Sequence, residues 1–411
     1  MPRIAERSRQ IISDGAHWLA HTARIQSPDD TFEDPFAYPV IDYLGAVRTE
    51  YDTKRRTWYL NGPVWHTGQA IRAVLIAYYR SGDAALLDAA RAMGEYVVRN
   101  MVDAPGHPND GLLLAYEGDN VAVNNQVLFE TLPGLLDLAK ATGEQRWVDI
   151  ARRAADFVIE CGFLADEGFI IDHYHVAESR FVSDPDNPYT GRIMLDDAAL
   201  VQLAQVTGDR RYTDVFLAMA ERALREEGPP GMWIVFPPWA ADSGRMHIRA
   251  TWWWGYPMLA AYDLTGDVRF WDAALRAGQW YLDQQNLDGG FYYSPVVGGK
   301  HTTFGLAASG AAVSSIIWCD LYQRTGDTKY KDAINRSVGF LAAAQFSPSA
   351  DDPNIRGALW ESPNPPDGTT CPGFFIRDIA TIFAIRALDK ALEIEGLLED
   401  VAPAWDHSMP W

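Results

Sequence analysis

A short turn built around glycine recurs along the chain at a nearly constant interval. It reads Ser or Thr, then Gly, then Asp or Glu, and its glycines are Gly82, Gly143, Gly208, Gly266 and Gly326. Successive glycines lie 61, 65, 58 and 60 residues apart. Glycine suits the left-handed position that closes a helix, and an acidic residue suits the positive N-terminal end of the next one. Each turn therefore predicts a hairpin of two helices.

The two helices of each hairpin differ in composition. The second helix carries apolar residues at three- and four-residue spacing, as in 268–282, which is typical of an amphipathic helix. The first is rich in small and aromatic residues with few charges, as in 308–318, and should be buried on most sides. We predict inner helices at 64–80, 121–141, 193–206, 247–264, 306–324 and 375–395. We predict outer helices at 4–22, 84–101, 146–161, 211–226, 270–284 and 330–344.

Twelve alternating helices of this period predict an all-α fold, a single closed (α/α)6 toroid of six helical hairpins spanning residues 1–411. A linear solenoid is the alternative closure. Long loops follow the outer helices, at 102–120, 162–192, 227–246, 286–304 and 347–374. Loops of this length are usually functional. They should emerge on one face with some short strands and surround a funnel-shaped cavity at the N-terminal ends of the inner helices.

Composition and charge limit the function. Hydrophobic residues make up 48% of the 411, enough for a large core, and 15 Trp favour either that core or an aromatic-lined cavity. A formal net charge of −20 leaves no basic footprint for nucleic acid. Three distant cysteines give no disulfide framework. Without a signal-peptide or membrane-spanning pattern, we expect a cytoplasmic protein with no membrane partner, and the oligomeric state stays open.

Aromatic, polar and charged residues gather where the long loops meet the predicted inner helices. They are Trp65, His66, Asp119, Asn120, Asp196, Trp239, Arg249, Trp252, Trp253, Trp360 and Arg377. Tryptophan faces beside carboxylates and arginines commonly line sugar-binding clefts. Individually, Asp119 and Asp196 also suit helix N-caps, and at least one Trp of the run 252–254 must pack in the core. All of these residues should come together at the opening of the funnel-shaped cavity, which we call the mouth. Their convergence there favours a binding site.

Several kinds of site are not indicated. The chain has no metal-ligand spacing such as H-E-x-x-H, no Gly-rich phosphate loop, no serine nucleophile elbow and no Cys–His pair. We therefore expect neither a metal nor a cofactor.

From Trp58 to Leu392 the chain resembles the six-hairpin glycosidases, in particular glycoside hydrolase families 88 and 105, the unsaturated glucuronyl and galacturonyl hydrolases. Residues 117–120, Glu-Gly-Asp-Asn, resemble the family's Asp-bearing second inner helix. Residues 193–197, Ile-Met-Leu-Asp-Asp, resemble its W-[IV]-D-x-x-x-M segment, which carries the principal catalytic Asp. Residues 249–253, Arg-Ala-Thr-Trp-Trp, stand where the family has R-G-[NQ]-[GA]-W. Residues 166–169 with His173 are similar to its G-G-F-x-H loop.

The chain departs from the family's motifs at several positions. Met194 and Leu195 stand where an aromatic residue precedes the catalytic Asp, and Ala250 and Thr251 replace the Gly and the Asn or Gln of the Arg/Trp motif. The stretch 233–239 lacks the family's loop histidine.

The resemblance implies release of a terminal 4,5-unsaturated uronic acid from an anionic oligosaccharide or glycoside, by hydration of a vinyl ether. Asp196 would be the acid/base and Asp119 the partner that shifts its pKa, although Asp197 competes for the first role. Arg249 would bind the substrate carboxylate and Trp253 would stack on the ring. The remaining substrate contacts would come from His66, Trp65, Asn120, Trp252, His173, Trp239, Trp360 and Arg377.

Other functions remain open. A glycoside hydrolase could act on an intact uronide through a carboxylate pair. A lyase on the same toroid could use Asn124, Asn125, His247 and Arg249 to remove a proton next to a carboxylate. The stretch 285–291 resembles one copy of the Q-x-x-D-G-G-F/W repeat of terpene-cyclase-like toroids. The remaining possibility is a carbohydrate-binding toroid without activity.

Overall fold

A computed structural model of the chain describes residues 4–40, 42–182, 196–236, 246–293, 295, 306–361 and 375–398. Its helices form two concentric rings. The inner helices are α2 Pro63–Ser81, α4 Asn125–Thr142, α6 Ala199–Thr207, the pair α8 Ala250–Gly255 and α9 Met258–Thr265, α11 Ala308–Thr325 and α13 Asp378–Glu393. The outer helices are α1 Ile4–His17, α3 Ala84–Arg99, α5 Arg146–Gly162, α7 Arg210–Glu226, α10 Val268–Gln284 and α12 Thr328–Ala344.

The ring is closed. The last inner helix, α13, packs against both α11 and α2, so the end of the inner ring meets its beginning. The first helix, α1, packs on α13 and completes the sixth hairpin. The fold is therefore the predicted (α/α)6 toroid. A linear solenoid is excluded because its terminal repeats would not touch each other.

The glycine turns have the predicted conformation. Gly266 closes α9 in the left-handed region at φ 71°, and the Asp267 side chain accepts the Arg269 N–H at the start of α10. The Thr265 hydroxyl accepts the Asp267 N–H at 3.1 Å. The Thr-Gly-Asp sequence thus satisfies backbone groups that two helix ends would otherwise leave unpaired.

Short strands occupy the long loops. They are β1 Glu50–Asp52, β2 Thr57–Tyr59, β3 Ala122–Asn124, β4 Phe163–Leu164, β5 Phe169–Ile170, β6 His173–His175, β7 Arg180–Val182 and β8 Phe375–Arg377. They form antiparallel sheets in the orders β2-β1-β8, β3-β6-β7 and β4-β5. Two of these sheets pair residues next to inner-helix starts. Glu50 lies opposite Arg377, and His173 lies opposite Asn124.

Several predicted helix boundaries are wrong at the loop face. Residues 122–124 and 375–377 are strands β3 and β8, because their backbones pair with β6 and β1. The segment predicted as one helix at 247–264 is two helices, with Pro257 at the junction, where proline has no N–H to continue the ladder. At the third inner helix, a 3₁₀ turn at Asp196–Ala198 precedes α6. Residues 18–23, after α1, form a π-helical turn.

None of the helices in the described ranges is long and apolar enough to cross a membrane.

Candidate functional site

A buried carboxylate lies between two arginines at the start of the inner helices. Glu361 is fully buried, and its Oε2 accepts the Ser309 backbone N–H at 2.8 Å while its Oε1 accepts the Ser309 hydroxyl at 3.0 Å. Burial raises the pKa of Glu361, against the opposing effect of Arg249 and Arg377. We call Glu361, Arg249, Arg377, Tyr293 and His247 the mouth cluster.

Arg249 has an unused donor. It is the N-cap residue of α8, only 5% exposed, and its Nη1 has no hydrogen-bond partner among the described residues. Its Cζ lies 5.9 Å from the Trp253 ring centroid and 5.7 Å from that of Phe383. A buried, unpaired guanidinium donor is costly to the protein, so an anionic ligand that accepts from it would gain the full hydrogen bond.

A hydrogen-bonded chain links Arg377 to His247 through Tyr293. The Tyr293 hydroxyl accepts from Arg377 Nη1 at 2.8 Å and lies 2.9 Å from His247 Nε2. His247 Nδ1 accepts the Arg249 backbone N–H at 3.1 Å, so a neutral His247 carries its proton on Nε2 and donates it to Tyr293. Tyr293 then accepts two hydrogen bonds and keeps its own O–H to donate. Glu50 completes the arrangement by pairing with Arg377 Nε at 2.8 Å.

A histidine–carboxylate pair joins the first and last inner helices. His66 Nδ1 lies 2.6 Å from Asp378 Oδ1, and the two side chains are 1% and 0% exposed. The Trp65 ring packs over the imidazole at a centroid distance of 3.7 Å. Asp378 Oδ2 has no hydrogen-bond partner among the described residues. The carboxylate thereby orients the imidazole.

Asp197 is fully engaged in ion pairs. Its Oδ2 accepts from Arg72 at 2.7 Å and its Oδ1 from Arg386 at 2.5 Å. Burial on its own would raise the pKa of Asp197, but Arg386 and Arg72 outweigh burial and lower it. The backbones of Asp197 and Ala198 are both left-handed, at φ 52° and 50°. An ionised carboxylate held by two arginines is a poor proton donor, so of the two adjacent aspartates Asp196 remains the acid/base candidate.

Asp119 and Asn120 lie apart from the buried residues. Asp119 is exposed, and its Oδ1 accepts the backbone N–H groups of Val121 and Ala122 at 2.8 and 2.9 Å. Asn120 is exposed and reaches the Ala37 carbonyl at 3.4 Å. Strand β3 separates both from α4, whose N-cap residue is Asn124, so Asp119 forms a turn before the strand and the helix N-cap interpretation of Asp119 is wrong. Its pairing with Asp196 stays a prediction, because the Asp196 side chain lies outside the described part of the chain.

The predicted aromatic residues have different environments. Trp252 and Trp254 are core residues, Trp252 against Tyr256 and Phe383 and Trp254 against Trp233 and Phe236. Trp253 is also buried, but it packs against His247 and Arg249 of the mouth cluster. Trp360 is half-buried and precedes Glu361. Trp239 lies outside the described residues. His173 is half-exposed on β6 next to the start of α4.

Sequence reasoning did not select Glu361, Asp378 or Tyr293 as site residues, and it named His247 only for the lyase alternative. Glu361 and Asp378 follow Trp360 and Arg377 directly, so their position was the available signal. Tyr293 sits within a loop, and nothing local indicates its partners.

Both signs of charge meet at the mouth. Glu361 and Glu50 balance Arg249 and Arg377, and Glu50 pairs with Arg377 directly. The donor left for an anionic ligand is Arg249 Nη1. Within the described ranges, no group of three or more His, Cys, Asp or Glu side chains is arranged to hold a metal ion.

Comparisons with known proteins identify the fold, but they do not identify a sequence family. No protein-family profile matches the chain, and no curated protein sequence is significantly similar. The cellobiose 2-epimerase of Bacillus thermoamylovorans is similar in structure, with a TM-score of 0.69 and 14% identity over 95% of this chain and 98% of that one. An unsaturated glucuronyl hydrolase of Bacillus sp. GL1 has a TM-score of 0.66 and 16% identity over 93% and 96%. A polysaccharide lyase has a TM-score of 0.59 and 12% identity over 92% and 52%.

These similarities confirm the (α/α)6 toroid fold, which the unsaturated glucuronyl hydrolases share. At such identities they establish the fold alone. The neighbours include a hydrolase, an epimerase and a lyase, so the fold by itself does not specify a reaction.

Proposed function

We propose that the chain is a carbohydrate-active enzyme that releases a terminal 4,5-unsaturated uronic acid from an oligosaccharide or glycoside. The observation that carries the proposal is Arg249, buried beside Trp253 at the mouth with an unpaired Nη1 donor. A guanidinium next to an aromatic face suits a sugar ring bearing a carboxylate.

Asp196 is the proposed acid/base. It protonates C4 of the double bond, water adds at C5, and the resulting hemiketal opens to release the rest of the glycoside. Asp196 fits this role better than Asp197, whose carboxylate is held by Arg72 and Arg386. The Asp196 motif resembles the family segment that carries the principal catalytic Asp.

The test follows the conjugated double bond by ultraviolet absorbance. The protein is incubated with a 4,5-unsaturated uronyl disaccharide, with an intact polyuronide and with cellobiose. We expect the absorbance of the unsaturated disaccharide to fall, and Asp196→Asn to abolish the decrease while sugar binding is retained. Unchanged absorbance with wild-type protein, or full activity of Asp196→Asn, would contradict the proposal.

A second candidate is removal of a proton from a sugar carbon next to a carboxyl or carbonyl group. The specific observation in its favour is the chain Arg377–Tyr293–His247, which leaves the Tyr293 hydroxyl free to act as a donor. Such a step begins both β-elimination and epimerisation. In the same assay, rising absorbance with the intact polyuronide would identify a lyase. Conversion of cellobiose without a change in absorbance, detected by chromatography, would identify an epimerase.

A further inference from the structure

We propose that His66 and Asp378 form a general-base pair in this site, with His66 Nε2 as the atom that takes up the proton. The inference rests on the proposed function and adds a second proton-transfer group to it. Neither the proposed acid/base role of Asp196 nor the proposed anion binding by Arg249 accounts for this pair.

The geometry of the pair is that of an oriented base. Asp378 Oδ1 accepts from His66 Nδ1 at 2.6 Å, which keeps the proton on Nδ1 and leaves the Nε2 lone pair unprotonated. The structure gives Nε2 no hydrogen-bond partner among the described residues. A carboxylate that is almost completely buried stabilises the imidazolium once Nε2 is protonated.

The position of the pair connects it to the mouth cluster. His66 lies in the first turn of α2, and Asp378 is the first residue of α13, so both lie at the same ends of the inner helices as Arg249. Asp378 follows Arg377 directly. Both Asp378 and Glu361 interact electrostatically with the Arg377 guanidinium. Trp65 covers one face of the imidazole at 3.7 Å and restricts the ring to its orientation.

The proposed reaction needs only the unsaturated sugar and one water molecule. Asp196 transfers its proton to C4 of the unsaturated sugar, and His66 Nε2 removes one proton from the water that forms the bond to C5. The imidazolium then returns that proton through solvent to the Asp196 carboxylate. The net change is addition of one water molecule across the double bond.

A simple structural link between α2 and α13 is the competing explanation. The chain contains a matched control, His17–Asp83, in which His17 Nε2 lies 3.1 Å from Asp83 Oδ2 with side chains 43% and 38% exposed. Asp83 is the N-cap of α3, at the opposite end of the hairpins from the mouth. This pair also joins two helices, but it cannot reach a substrate bound at the mouth.

The first experiment compares Asp378→Asn with wild-type protein on the 4,5-unsaturated disaccharide. Asparagine keeps the size and one acceptor but removes the charge that stabilises the imidazolium. We expect kcat to fall about 100-fold to 10,000-fold, the range for a lost general acid–base group, with KM changed less than about threefold. His17→Gln should leave both parameters unchanged. Melting temperatures of both variants show whether a loss comes from unfolding.

The second experiment distinguishes a base from a packing residue. His66→Ala is assayed with imidazole and with methyl-substituted imidazoles of different pKa. For a general base, the restored rate rises with the basicity of the added imidazole. For a packing residue, restoration depends on size and not on basicity.

The outcomes separate the two proposals. Wild-type protein that acts on none of the three sugars overturns the proposed function and the base assignment together. Active wild-type protein with undiminished kcat in a folded Asp378→Asn, or with no basicity-dependent rescue of His66→Ala, overturns the base assignment alone.

Discussion

At the residue scale, the arginines of the inner ring fall into two groups according to their partners. Arg72 and Arg386 pair with Asp197, Asp137 and Gln69 and connect three inner helices. Arg249 keeps an unpaired Nη1. Paired arginines stabilise the ring, whereas the unpaired donor is available to a ligand.

Replacing Arg249 should weaken binding of an anionic sugar specifically. A hydrogen bond to a charged group contributes about 1.5–3 kcal/mol, so we expect Arg249→Gln to raise KM for the unsaturated disaccharide about 10-fold to 100-fold. Arg153→Gln is the control, because Arg153 lies on the outer helix α5 and pairs with Asp103 and Asp110 of the loop after α3. Steady-state kinetics on both variants provide the measurement. An unchanged KM for Arg249→Gln would contradict carboxylate binding by this residue.

Asp197 should contribute stability that depends on pH. Removing one partner of a buried ion pair costs about 3–5 kcal/mol, so Asp197→Asn should lose about that much at pH 7. The folded-state pKa of Asp197 is lowered, so its contribution is complete above the unfolded pKa of about 3.9 and is lost as pH falls through the lower folded value. Urea unfolding at pH 7 and below pH 4 measures the difference.

Asp137 provides the matched comparison. It pairs with Arg72 at 2.9 Å, but its side chain is 36% exposed, so Asp137→Asn should cost less than about 1 kcal/mol. Equal losses for the two variants would show that burial does not govern these pairs.

At the element scale, the Gly turns and the close contacts between inner helices place different demands on glycine. Gly266 adopts φ 71°, and a Cβ there would meet nothing within 4 Å. Gly134 in α4 has helical geometry, but a Cβ there would lie 2.1 Å from the Gly68 carbonyl oxygen in α2. The first glycine is required by the backbone and the second by packing.

Three alanine variants test this distinction. Gly266→Ala should lose about 1–2 kcal/mol from the left-handed backbone alone. Gly134→Ala should lose about 1–3 kcal/mol or more, because two backbones must separate. Gly339→Ala in α12 should gain about 0.5–1 kcal/mol, since its position is helical and open. Denaturant midpoints give the three values, and a stabilised Gly266→Ala would refute the turn argument.

At the scale of the whole molecule, an acidic chain surrounds a mouth with one unpaired arginine donor. The net charge of −20 repels an anionic sugar at a distance, whereas Arg249 attracts it locally. Salt screens the long-range term more strongly than buried contacts.

This balance predicts an unusual dependence on salt. Raising NaCl from about 10 to 150 mM should increase kcat/KM for the unsaturated disaccharide by a small factor, about twofold to fivefold, because exposed repulsion is screened within about 8–10 Å. The inhibition constant of an uncharged aryl glycoside used as a binding competitor should show no such change with salt. A steady decrease of kcat/KM with salt would mean that local attraction controls capture.

Much of the fold could be predicted because its signals are local. The Thr-Gly-Asp turns and the amphipathic outer helices depend on residues within a few positions, and these agree with the structure. The inner-helix starts were placed less well, since residues 122–124 and 375–377 pair with strands distant in sequence. Of the residues predicted for the site, Arg249 and His66 lie buried at the starts of inner helices, whereas Asp119 lies in an exposed loop.

The sequence by itself determined the six hairpins, their order and the face that carries the long loops, because helix periodicity and turn chemistry act over short distances. Only the tertiary structure decided which charged side chains are satisfied. Asp197 and Asp378 look alike in the sequence, yet closing the ring brings two arginines to the first and a histidine to the second. Charge pairing joins residues as far apart in sequence as Glu50 and Arg377, and local sequence patterns do not indicate such pairs.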